Sequence, residues 1–151
     1  MSSIADLESE KEWYYEKISE AKAQIKKLEN NHDSLSLFKN DATKSSESFY
    51  SINSKKNSYL SDIEELKKNS RMSKRYYKGM KGVLDGTGAK IVLVAYSVLL
   101  KNVKSKLDDY IKKINKLEDD ISRYYERIAA INAEITSLRA AEKTNWTTQQ
   151  A

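Results

Sequence analysis

The 151-residue chain has no cysteine and no proline, four glycines and a single histidine. Without cysteine there is neither a disulfide framework nor a thiolate metal site. Without proline, nothing in the chain forces a helix to stop. The glycines are confined to one short window, "YYKGMKGVLDGTGAK" (76–90). Long apolar runs are scarce as well. The longest, "AKIVLVAYSVLL" (89–100), falls well short of the ~20 residues of a spanning helix. It reads as a buried helix segment. The N-terminal stretch MSSIADLESEKEW is polar and acidic, unlike an ordinary secretory signal. A cytoplasmic protein is therefore expected, exported if at all with a partner by a route independent of a signal peptide.

With 39% hydrophobic and 32% charged residues, the composition favours long helices and a thin apolar seam. The net charge of +5 is unevenly distributed. Residues 1–66 carry 9 basic and 13 acidic groups, whereas 67–81, "KKNSRMSKRYYKGMK", carry seven basic groups and no acidic one.

Periodicity is clearest in the second half. Leu93, Leu100, Leu107, Ile114, Ile121, Ile128 and Ile135 recur every seven residues. Tyr96, Val103, Tyr110, Leu117, Tyr124, Ile131 and Leu138 interleave with them, giving an unbroken heptad seam. In the first half Ile4, Leu7, Tyr14, Ile18, Ala21, Ile25, Leu28 and Leu35 keep the same spacing, with Lys11 and His32 at two seam positions. Beyond Leu35 the apolar phase slips and resumes through Phe38, Ala42, Phe49, Ile52, Tyr59, Ile63 and Leu66. Such a slip predicts local overwinding or a break, and the Ser- and Asn-rich 39–58 stretch is a mediocre helix former.

The fold class expected is all-α, an elongated antiparallel helical hairpin of one domain. Arm one would cover about 4–76, kinked or broken near 36–58. A glycine turn would follow at about 77–88, then arm two at about 89–142 and a short polar tail. Tyr77, Gly79, Gly82, Gly86 and Gly88 would form the turn, with Gly79 and Gly82 as left-handed helix caps and Asp85 or Thr87 opening the second arm. That register would bring Ile63 near Leu100, and Leu28 near Ile135–Leu138.

Catalytic, cofactor and metal sites find little material. The glycine window lacks the Gly-Lys-Ser/Thr of a phosphate loop and the third glycine of a dinucleotide fingerprint. His32 sits in the seam, where a lone polar residue usually sets register. The carboxylates are spaced i, i+4 to lysines, as on solvated helix faces. No enzyme is expected. The basic 67–81 segment with Tyr76 and Tyr77 leaves open a binder of nucleic acid or anionic membrane. The balance of expectation is that its charges simply suit the end of a helix.

One stretch does not fit a two-helix seam. Between 91 and 99, Ile91, Val92, Val94, Ala95, Val98 and Leu99 join Leu93 and Tyr96 to make the helix apolar all round. A helix apolar all round is covered all round, so a folded-back segment, a second copy or a different protein is expected on the outer face, which argues for a partner.

Tyr77-Lys78-Gly79 stands where small helical-hairpin proteins of Gram-positive type VII secretion carry Trp-x-Gly. The arms "YYEKISEAKAQIKKLENNHDSL" (14–35) and "LDDYIKKINKLEDDISRYYERIAAINAEITSL" (107–138) are similar in character to those of the WXG-like superfamily. In particular the layout resembles the α-helical partner proteins encoded beside LXG toxins. The chain departs from the pattern in having Tyr for Trp and in lacking the Tyr-x-x-x-Asp/Glu export signal. The resemblance implies a targeting factor or chaperone that packs against the helical N-terminal domain of a secreted toxin, alone or with a second small helical protein. The rival expectation is a self-associating structural coiled coil.

Overall fold

A computed structural model describes residues 2–66 and 71–150, with side chains described over 2–62, 71 and 74–150. Helix α1 runs Ile4–Leu66, α2 runs Arg71–Leu84 and α3 runs Thr87–Gln150. Among the described residues there is no strand. The fold is an all-α helical hairpin. Helix α1 is the outgoing arm, and α2 with α3, parted only by Asp85 and Gly86, is a bent return arm.

The start of α1 is fixed by a reciprocal cap. The Asp6 N–H donates to Ser3 Oγ (3.1 Å), and the Ser3 N–H donates back to Asp6 Oδ2 (3.0 Å). Each satisfies a donor that a helix N-terminus otherwise leaves without a partner. The Ser3 hydroxyl and backbone N–H together hold the Asp6 carboxyl below its ordinary pKa.

Cα packing divides the chain into two compact units, Met1–His32 with Asp109–Ala151, and Asp33–Asp108. In the first, Leu7, Ile131 and Ile135 form the centre, with Ile4, Tyr14 and Leu138 against it. Ile131 has no exposed surface. Fully burying each such side chain is worth ~1.5–3 kcal/mol. An aromatic group continues the seam: the Tyr14 and Tyr124 rings lie 5.6 Å apart, and Trp13 meets Tyr14 edge-on at 5.0 Å. At the margin Arg127 Nη2 pairs with Glu10 Oε1 (3.0 Å) and Arg139 Nη2 with Glu8 Oε1 (3.3 Å). Such exposed pairs add little energy but report the register.

The second unit is built differently. Among the described residues its buried apolar side chains are Ala42, Leu60, Leu84, Val103 and Leu107. The half-buried positions of α1 here include Lys39, Ser46, Asn53 and Asn57. Lys39, Ser46 and Asn53 keep the 3/4 spacing set by Ile4, Leu7, Ile18 and Leu35, and Asn57 stands one residue off it. The seam therefore does not slip; it becomes polar. Phe38, Ile52 and Tyr59, expected in the seam, are exposed, and α1 is one helix through the 36–58 stretch where a kink or break was expected. Polar seam groups find partners locally. Asn53 Nδ2 donates to the Leu84 carbonyl (3.1 Å), satisfying an oxygen at the end of α2. Asn57 Nδ2 donates to the Asn53 carbonyl (3.2 Å).

Asn53 at the end of α2, and Asn57, Leu60 and Ser61 beside Tyr77, Lys81 and Asp85, show that α2 already runs back along α1. The chain has therefore already reversed before the glycine window, which is not the hairpin turn. This moves the register. Leu28 lines a shallow groove with Lys113, Lys116 and Leu117, whereas Ile135 and Leu138 pack by Leu7. The expected meeting of Leu28 with Ile135–Leu138 is thereby corrected. The Ile63 and Leu66 side chains, and the Ile63–Leu100 expectation, lie outside the described residues. The polar tail expected after 142 is helical to Gln150.

Candidate partner-binding surface

Helix α3 opens on a β-branched run. Ile91, Val92, Val94 and Val98 are stiff at χ1 and only moderate helix formers. The inner stripe holds the run helical: Leu93, Tyr96 and Leu100 are half-buried and Val103 is buried. On the opposite side Ile91, Val94, Ala95 and Val98 follow the i, i+3, i+4, i+7 spacing of a second apolar stripe. All four are exposed, Ile91 and Val94 to 61% and Val98 to 52%. Val92 and Leu99 flank the two stripes and are less open, at 37% and 38%. Lys101 and Asn102 end the outer stripe after two turns. All six residues expected at a partner interface are thus at the surface of one helix, four of them facing away from the packed seam.

Beside this stripe lies an open groove of about 480 Å³, lined by Phe49, Ile52, Val83, Leu84, Ala89 and Val92 among others. Ile52 and Val83 are largely exposed there. Sequence reasoning missed this groove. Counting apolar residues alone puts Ile52 in the seam, and the glycines around Val83 put it in a turn. The signal that could have found it was the uninterrupted 3/4 phase of α1, which puts Ile52 outside the seam.

The residues expected in the turn are distributed otherwise. Tyr77, Gly79 and Gly82 lie inside α2, and Gly88 is in the first turn of α3. None of the glycines has a positive φ, so no left-handed cap exists among the described residues. Gly79, Gly82 and Gly88 have open space where a Cβ would be. Gly86 alone is required by geometry: a Cβ there would stand 1.9 Å from the Gly82 carbonyl oxygen. The bend is held by the Asp85 N–H donating to the Lys81 carbonyl (2.9 Å) and by the Lys81–Asp85 ion pair (3.1 Å). Asp85, with Tyr77 nearby, raises the Lys81 pKa. Because Tyr77-Lys78-Gly79 is helical, its likeness to a Trp-x-Gly turn motif is positional only.

His32 is half-buried in the seam, as expected of a register residue. Among the described residues no group of three His, Asp or Glu side chains is placed to hold a metal ion. One helical run, Lys74–Gln150, is long and apolar enough to cross a membrane by length and composition, through an 18-residue window of mean hydropathy 1.6 that is only 6% buried. Asp85, Gly86 and Lys90 interrupt the apolar residues from Val83 to Leu100 that give it this character.

Fold and surface together define a class: an all-α helical hairpin that leaves an apolar stripe of its return arm uncovered. No protein-family model, curated protein or solved structure matches the chain.

Proposed function

We propose that this chain is a non-enzymatic binding protein that packs its outer α3 stripe against a helical partner. By the resemblance of its arms, that partner is the helical N-terminal domain of an LXG-type toxin of type VII secretion, with the chain acting as targeting factor or chaperone. The observation that supports the reading is the stripe Ile91, Val94, Ala95 and Val98, two full turns of apolar surface turned away from the seam. Its spacing suits the groove of another helix. Tyr77 and the glycines take no part in the contact; Gly86 sets the direction of the arm that presents it.

The test is co-expression with the helical N-terminal domain of an LXG-type toxin whose gene adjoins this chain's, followed by size-exclusion chromatography; the absence of such a gene already counts against the reading. The expected result is a stable complex that the double change Val94→Glu, Val98→Glu abolishes while helical content is kept. The reading fails if the wild-type chain stays alone in the presence of that domain. It fails equally if the chain forms only a homo-oligomer that the same double change dissolves, since that assigns the stripe to self-assembly.

A further inference from the structure

Helix α2 carries a second surface, independent of the stripe and of the toxin reading. From Arg71 to Leu84 it has five basic side chains and no acidic one. Only Lys81 among them is ion-paired in the described residues, to Asp85. At 100° per residue, Arg71, Lys74, Arg75 and Lys78 fall on one arc of roughly 100°, and all four are exposed. Leu84 is buried and Tyr77 and Met80 half-buried on the far side, where α2 packs in its own unit. Between these two arcs stand Tyr76 and Val83, exposed to 53% and 67%.

We infer that α2 docks on an anionic phospholipid surface, lying in the plane of the headgroups. A solvent face that is cationic along its length suits a surface of anionic headgroups, and Tyr76 and Val83 stand at its margin, roughly 80–100° farther round the helix. The cations meet anionic headgroups, and Tyr76 with Val83 meets the edge of the contact at headgroup level. Charge chooses the occupant: the basic face has no carboxylate of its own to neutralise it. The apolar edge separates lipid from nucleic acid, because a phosphate backbone gains nothing from Val83. The bend at Asp85–Gly86 and the charge of Lys90 keep this segment on the surface rather than across it.

Near an anionic surface each Lys or Arg strengthens association by roughly fivefold. Reversing three of them is therefore expected to weaken binding by at least about a hundredfold. The measurement is co-sedimentation of the full chain with vesicles of phosphatidylcholine alone or with about one-third phosphatidylserine, at low and high salt. Binding is expected only to the phosphatidylserine vesicles, falling steeply with salt and lost in Lys74→Glu, Arg75→Glu, Lys78→Glu. The neutral version, Lys74→Gln, Arg75→Gln, Lys78→Gln, guards against a folding defect and should lose most of the binding too. Tyr76→Ser with Val83→Ser should weaken vesicle binding several-fold. Val94→Glu with Val98→Glu should leave it unchanged, which separates this surface from the proposed partner site. Equal binding to both vesicle types overturns the inference. So does binding of a DNA oligonucleotide that exceeds vesicle binding and ignores the Tyr76/Val83 change.

Discussion

Replacing the glycines one at a time by alanine separates a turn from a bend. At Gly79 and Gly82 the added methyl enters open space on a regular helix. Alanine there removes backbone freedom from the unfolded chain and should stabilise by ~0.5–1 kcal/mol per site. At Gly86 the Cβ would stand 1.9 Å from the Gly82 carbonyl oxygen. Ordinary contact begins near ~3.4 Å, so the two backbone segments must part by roughly 1.5 Å, a shift of the kind that costs ~1–3 kcal/mol. That movement also disturbs the Asp85 N–H to Lys81 carbonyl bond and the Asn53 bond to the Leu84 carbonyl. Urea unfolding followed by circular dichroism at 222 nm measures all three variants. Gly79→Ala and Gly82→Ala should raise stability and Gly86→Ala should lower it; in thermal melts each kcal/mol is ~2–4 °C for a chain of this size. Should alanine at 79 or 82 cost ~1 kcal/mol or more, those residues are caps and the window is a turn after all. A neutral Gly86→Ala would refute the close approach.

Register and capping give two further tests. Cysteines replacing Glu10 and Arg127, whose side chains meet at 3.0 Å, should be bridged within one chain by a short bis-maleimide at high dilution. Cysteines replacing Leu28 and Leu138 should not be; the reverse pattern, read by mass spectrometry, would restore a reversal inside the glycine window. Asp6, whose pKa is lowered first by the Ser3 side chain and then by the Ser3 backbone N–H, contributes stability that is complete above the ordinary carboxylate range. That contribution is lost as pH falls through the lowered value. An NMR titration of Asp6 should show its pKa moving up toward the ordinary value in Ser3→Ala, and an unmoved titration would deny the cap.

The seam of α3 was legible residue by residue: every position from Leu93 to Leu138 on the 3/4 spacing is buried or half-buried. So was that of α1 as far as Leu35, including Lys11 and His32. The reading failed where two plausible rules conflict with packing. Following apolar residues led to a phase slip at Phe38, because Phe38, Ile52 and Tyr59 are apolar but face outward, while Lys39, Ser46 and Asn53 keep the inward positions. Polar groups hold such positions when local hydrogen bonds satisfy them, as Asn53 does at Leu84, and no pattern of hydropathy reveals that in advance. Following glycine led to a turn at 77–88, because a helix tolerates glycine at a cost of only ~1 kcal/mol. The outer stripe was legible because four apolar side chains opposite a full heptad seam cannot all face inward.

The change of seam chemistry along α1 has a kinetic counterpart. A helix pair closed over Leu7, Ile131 and Ile135 gives up a large apolar area before its amides meet solvent. One whose α1 side offers Ala42, Ser46 and Asn53 beside Leu60 gives up less. Amide exchange in the Asp33–Asp108 unit should therefore run through frequent local openings, while the deepest amides near Ile131 exchange only with unfolding of the whole chain. Occupation of the outer stripe or of the basic face would first register as a slowing of those local openings. The two surfaces proposed to bind are carried by the part of the molecule that opens most readily.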